Sequence, residues 1–191
     1  MPVSIDTVVG LYADRAGMRY GSELVSQLEH ALQCAQRALD EGAGVELAAA
    51  AFLHDIGHLL ARRSHEFGRE MDDLHQYLAP PFLRGAFGAP VLEPIKLHVD
   101  AKRYLCHAEP GYWERLSPAG KHSLELQGGP YAAQEAALFI GQPFARDAVR
   151  LRRWDDAAKI PGLAVPDLGY IARLLQEAAS RHSNRNIVAV E

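Results

Sequence analysis

Six side chains in this sequence are metal-ligand types set into apolar surroundings. His30 stands in QLEHALQCA, His54 and Asp55 in AAFLHDIGHLL, His75 in DDLHQYL, His98 in IKLHVDAKRYL and Asp155 in RRWDDAAK. The run VELAAAAFL leads into His54 and Asp55 and is apolar all round, so both face the interior however the segment is rotated. Burying even neutral polar groups without partners costs roughly 2 to 7 kcal/mol. A divalent or trivalent cation compensates directly, because it takes neutral imidazole and carboxylate as ligands. Ligand chemistry alone permits zinc, manganese, nickel or iron. Each residue taken singly has a plainer reading, a satisfied core histidine or a surface carboxylate; their number argues for a metal site.

Other polar groups share the arrangement. In SELVSQLEHALQCAQRALDE, placed at about 100° per residue, Leu24, Leu28, Ala31, Ala35 and Leu39 form a core stripe. Ser22, Ser26, Glu29, Gln33 and Asp40 form the solvent face. Glu23, Gln27 and His30, with Cys34, fall on a third stripe beside the core, and a polar stripe there lines a cavity. Lys102 follows His98 by one helical turn and shares its face. A cation beside a metal cluster is tolerable when an anion sits between them. His58, one turn after His54, Ser123 and Gln127 before GGP, and Arg152 just ahead of Asp155 are expected in the same cavity. For Arg152 the plainer alternative is a solvated charge in RLRRWDD.

The elements that must position these groups are helical. Apolar spacings of 3 and 4 dominate and period-2 alternation is absent beyond a few residues, so the chain reads as all-α. Punctuation predicts helices over about 4–16, 22–41, 45–60, 70–87, 90–105, 118–126, 131–140, 143–154 and 167–181. The stretch 156–166 reads as irregular, and the sequence predicts one domain over 1–182 with a frayed tail over 183–191. With 191 residues, 48% hydrophobic, there is core enough for one domain and one site. A net charge of -4 with scattered basic residues leaves no footprint for nucleic acid or an anionic membrane. No apolar run reaches a membrane span and the N-terminus lacks a signal pattern, so the expectation is a cytoplasmic protein. Cys34 and Cys106 read as reduced core residues.

The pattern His30, His54-Asp55, Asp155 resembles the HD-domain superfamily of metal-dependent helical bundles. The texts QLEHALQCA, LHDIGH, HVDAKRYL, ELQGGP and RRWDDAAK are similar to those of the PhnZ-type oxygenases, which cleave carbon-phosphorus bonds in organophosphonates. The resemblance runs from about residue 20 to residue 175. It implies two iron ions in a mixed-valent pair: one on His30, His54, Asp55 and Asp155, the other on His75 and His98, with Asp55 bridging. It implies a 1-hydroxyphosphonate substrate and dioxygen, with no organic cofactor. A 2-oxoglutarate-dependent iron hydroxylase would be the pathway partner that supplies the substrate. His58, Lys102, Ser123 and Arg152 are then expected to cradle the phosphonate. Tyr20 is expected to cap the vacant iron position, and Glu23 to meet a substrate amine. Asp100, where the family pattern leads one to expect a small residue, would join Glu23 and Tyr20 in a pocket for a cationic group. It follows His98 by two residues and faces roughly 160° away on a regular helix, so the competing reading is a surface carboxylate. The expected substrates are 1-hydroxy-2-(trimethylammonio)ethylphosphonate, giving glycine betaine, and 2-amino-1-hydroxyethylphosphonate, giving glycine. The competing functions are an HD-domain phosphohydrolase, which would attack phosphorus with metal-activated water, and a non-catalytic binding or sensor module.

Overall fold

The alanine run in VELAAAAFL organises the architecture. Ala48, Ala49, Ala50 and Ala51 lose all exposure, as do Phe52 and Leu53. Side chains this small let neighbouring helices approach from every side, and alanine is also the best helix former. The computed structural model describes residues 3–15, 17–20, 23–61 and 74–188, with backbone only over 186–188. Among the described residues there are eleven helices and no strand: α1 Ile5–Asp14, α2 Gln27–Asp40, α3 Val45–Leu53, α4 Ile56–Ala61, α5 His75–Leu83, α6 Ala89–Ala108, α7 Tyr112–Arg115, α8 Pro118–Leu126, α9 Ala133–Ile140, α10 Ala145–Ala157 and α11 Leu168–Val188. The expected all-α helical bundle, one domain, is what forms. The helix α3 lies at its centre, packed against α2, α6, α10 and α11. Its Phe52 meets the Tyr12 ring, whose hydroxyl donates to the Phe52 carbonyl at 2.9 Å.

Local chemistry sets the helix ends. Ser26 caps α2 in a reciprocal box with Glu29. Ser117 caps α8, which opens on Pro118, where a missing N–H costs nothing. The helix α2 therefore starts five residues later than expected. Leu24, assigned to the core stripe, lies outside the helix and is 77% exposed. Ser22 lies outside the described residues, as do positions 70–73 of the helix expected from 70. The helix expected over 45–60 is interrupted at His54 and Asp55, which separate α3 from α4. The stretch 158–167 is irregular, in line with the sequence. The tail expected to fray is instead helical as far as Val188, where α11 ends; Arg185 there pairs with Glu46 at the start of α3. Among the described residues, no helix is long and apolar enough to cross a membrane.

Candidate metal centre and its cavity

The six ligand-type side chains converge from α2, the α3–α4 break, α5, α6 and α10. All are buried, none more than 6% exposed. Asp55 stands in the middle. Its Oδ2 lies 3.6 Å from His30 Nε2 and 3.4 Å from His54 Nε2. Asp155 Oδ1 closes that group at 3.3 Å from His30 and 3.9 Å from His54. Asp55 Oδ1 points the other way, 3.2 Å from His75 Nε2 and 3.7 Å from His98 Nε2, and those two nitrogens are 3.0 Å apart. A metal about 2.1 Å from each donor needs donors about 3.0 to 3.4 Å apart, according to its coordination number. Both groups fall at or slightly beyond that spacing.

The hydrogen bonds behind the imidazoles test whether a cation fits. His30 Nδ1 donates to the Ala158 carbonyl at 2.9 Å, His54 Nδ1 to Ala51 at 2.9 Å, and His98 Nδ1 to Ile95 at 2.6 Å. Each bond fixes the tautomer with a bare Nε2 facing inward. His30 and His54 then oppose two lone pairs at 3.3 Å, which repel unless a proton or a metal lies between them. Asp55 Oδ2 accepts no hydrogen bond from any described residue. Buried His/Asp clusters of this kind fit a metal site.

The electrostatics agree. Burial alone would lower the His54 pKa, but Asp55 and Asp155 outweigh it and raise it to about 9. Burial raises both carboxylates, yet His54 and His58 bring Asp55, and Arg152 and the His30 hydrogen bond bring Asp155, well below the usual range. This is a field that gathers cations. His98 is held neutral, the ligand form, by burial and by its neighbours His75 and His54. Cys34 Sγ lies 3.7 Å from His30 Nε2 and within reach of the same ion as His30 and His54, while burial first and then Asp155 push its thiol up.

One glycine makes the second group possible. A Cβ on Gly57 would lie 2.1 Å from the His75 carbonyl oxygen, so only glycine lets the start of α5 approach α4. His58, one residue on, stacks on His75 with ring centroids 4.0 Å apart.

A cavity of about 440 Å³ opens onto Asp55, His75, His98 and Asp155, a size suited to a small ligand. Its walls include the expected Tyr20, Glu23, His58, Lys102, Ser123, Gln127 and Arg152. Lys102 Nζ donates to Ser123 Oγ at 2.8 Å. Burial first, then the nearby Arg152, lowers its pKa to about 7. Gln127 Oε1 is buried and accepts nothing from the described residues. Tyr20 stacks on His30 at 3.9 Å, and its hydroxyl donates to Asp155 Oδ1 at 3.3 Å. Arg152 lines the cavity with its guanidinium already engaged: Nη1 lies 2.6 Å from Asp155 Oδ2, and the other nitrogens bond Asp156 and the Tyr112 hydroxyl.

No family profile matches the chain. It is 47% identical over 154 residues to the hydroxymethylphosphonate dioxygenase of Gimesia maris, covering 80% of this chain and 77% of that protein. The chain belongs to the PhnZ-type hydroxyphosphonate dioxygenases. A second member, the glycine-betaine-forming 1-hydroxy-2-(trimethylamino)ethylphosphonate dioxygenase of Leisingera caerulea, is 36% identical over 183 residues, covering 93% of this chain and 91% of its own.

Asp100, expected to join Glu23 and Tyr20 in a cation pocket, does not line the cavity. Its Oδ1 accepts the Tyr131 hydroxyl at 2.6 Å on the far side of α6, as the two-residue offset from His98 allows. Gln33, assigned to solvent, is 1% exposed. Its amide donates to the Ile160 carbonyl at 2.8 Å and its carbonyl accepts the Ile160 N–H at 3.1 Å. Lys159, between that clamp and the His30 bond to Ala158, reaches the cavity and was not foreseen. It lies past the end of α10, where helical periodicity carries no signal.

Proposed function

We propose that this PhnZ-type dioxygenase holds two iron ions and uses dioxygen to cleave the carbon-phosphorus bond of a 1-hydroxyalkylphosphonate. The observation that carries the reading is Asp55, whose two oxygens face two separate donor groups at the floor of one cavity. His30, His54 and Asp155 would hold one iron and His75 and His98 the other, with Asp55 shared; two metals about 3.5 to 4 Å apart can share one carboxylate. When bound, the mixed-valent pair supplies the redox chemistry that couples dioxygen to oxidation at C1. The overall change balances without a reductant: one hydroxyphosphonate and one dioxygen give one carboxylic acid and one phosphate.

The protein's own groups divide the remaining work. The Lys102 ammonium and the Ser123 hydroxyl, 2.8 Å apart, face the cavity as an anion-binding pair, with Gln127 beside them. A phosphonate seated there presents C1 to the metal-ligand floor. His58, 3.8 Å from Asp55 Oδ1, borders that floor and can donate to a phosphonate oxygen. Tyr20 keeps its proton, since burial and then Asp155 raise its pKa, and it covers the His30 face until substrate enters. Arg152 acts through Asp155, orienting that carboxylate toward His30.

The substituent on C1 decides the acid: glycine betaine from the trimethylammonio substrate, glycine from the primary amine, formate from hydroxymethylphosphonate. A 2-oxoglutarate-dependent iron hydroxylase would place the hydroxyl on C1 beforehand. With Cys34 and Cys106 free, a reducing cytoplasm suits the chain. The test is phosphate release from these three substrates by iron-loaded protein under labelled dioxygen. The expected result is strict dependence on oxygen, with one labelled atom in the carboxylate. Full activity without air, with water oxygen on phosphorus, would point to a phosphohydrolase.

A further inference from the structure

Lys159 occupies the place where a cationic substrate would be received. Its Nζ lies 3.5 Å from Glu23 Oε1 and 5.7 Å from the centroid of the Tyr20 ring. A carboxylate and an aromatic face are the two features that hold a quaternary ammonium, and one lysine engages both. The second carboxylate expected there, Asp100, is on the other side of α6. Arg19 adds another positive charge to the cavity lining.

The lysine is also held in place. The carbonyl of Ala158 accepts from His30 Nδ1, and the backbone of Ile160 is bonded at both its N–H and its carbonyl by the Gln33 amide. Both chain neighbours of Lys159 are thus fixed to α2, the helix that carries His30. The Lys159 side chain is only 19% exposed and Glu23 only 21%, so the pair is largely shielded from competing water. A trimethylammonium group has no N–H donors, and it would have to displace Lys159 from both partners or share the cavity with it at like charge.

Resting on the proposed oxygenase reading, we propose that the Lys159–Glu23 pair is a specificity determinant that stands in for a substrate cation. The pair selects 1-hydroxyphosphonates whose C1 substituent is small and uncharged, such as hydroxymethylphosphonate, over those carrying an amine or trimethylammonium.

The experiment compares iron-loaded wild type with Lys159→Met and with Lys159→Met/Glu23→Gln. Dissociation constants for hydroxymethylphosphonate and 1-hydroxy-2-(trimethylammonio)ethylphosphonate are measured by calorimetry without oxygen, and phosphate release is then measured in air. Wild type is expected to bind hydroxymethylphosphonate more tightly. Lys159→Met should shift the ratio at least tenfold toward the cationic compound, and the double variant should lose that gain, because the freed Glu23 carboxylate is what receives the cation. Iron content should stay at the wild-type level throughout. A wild type that prefers the cationic compound, or a ratio that Lys159→Met leaves within twofold, overturns the proposal while leaving the oxygenase reading intact. Failure of both compounds to release phosphate overturns that reading, and the pair's role with it.

Discussion

The floor of the cavity and the rest of its lining are built on different principles. On the floor, every donor comes from a helix or a helix break in the packed core, and His30, His54 and His98 are each locked from behind by a backbone carbonyl. In the rest of the lining, Lys102, Gln127 and Lys159 reach in on long side chains, from α6, the end of α8 and an irregular segment. Packing and these backbone bonds hold the donors in place. The rest of the lining sets the charge and shape of the space above that floor. Substitutions on the floor should therefore cost metal, and substitutions in the rest of the lining should cost affinity or selectivity.

The contrast is tested most severely at Asp55. Asp55→Ala takes a donor from both groups and leaves buried imidazoles facing one another; breaking such a buried network costs about 3 to 5 kcal/mol when one partner is removed. Both irons should be lost and phosphate release should fall to background, read by metal analysis and by assay. Retention of two irons would mean that Asp55 is not shared.

Gly57→Ala should come next. The added methyl meets the His75 carbonyl oxygen at 2.1 Å, so α5 must shift, at about 1 to 3 kcal/mol for overpacking. His75 moves with it while His30, His54 and Asp155 stay. Iron content should fall from two toward one per chain, with a lowered melting temperature.

Across the cavity, Lys102→Met should keep both irons and raise KM, with a loss on the order of 2 to 5 kcal/mol for a desolvated charge pair. The wild type should show the same group in its pH profile. Burial, and then Arg152, brings the Lys102 pKa down to about 7, so the ammonium is present below that pH and is lost as pH rises through it. The KM for a phosphonate should be flat below about 7 and climb above it, and Lys102→Met should abolish the climb.

Asp100→Asn should have the smallest effect. It weakens one hydrogen bond from Tyr131, worth about 0.5 to 1.5 kcal/mol, and should leave the preference among substrates unchanged. A selective loss of cationic substrates would bring Asp100 back into the site.

Much of this was legible in the sequence because it depends on local text. An apolar run interrupted by His54 and Asp55 marks buried polar groups in need of a partner, the further histidines and Asp155 make a cation the economical one, and the one-turn spacing of His98 and Lys102 puts them on one helix face. What was not legible depends on contacts between distant segments. A helical wheel assigns Gln33 to a face but does not say that residues 158–160 cover that face and take both ends of its amide. Leu24 lost its core assignment because the Ser26 capping box starts the helix after it. Lys159 follows a helix end, where direction is set by the Ala158 and Ile160 anchors and by no periodicity. Asp100 departs from the family pattern, and of its two readings, pocket or surface carboxylate, its own angle on α6 favoured the one that its bond to Tyr131 bears out.

The most direct test of the shared-carboxylate site is a metal count combined with electron paramagnetic resonance on protein made in iron-supplemented cells and partly reduced. Two irons per chain and a half-spin signal from antiparallel coupling of ferric and ferrous ions are expected, because Asp55 would connect the two. One metal per chain, or two irons with only isolated ferric signals, would contradict the account.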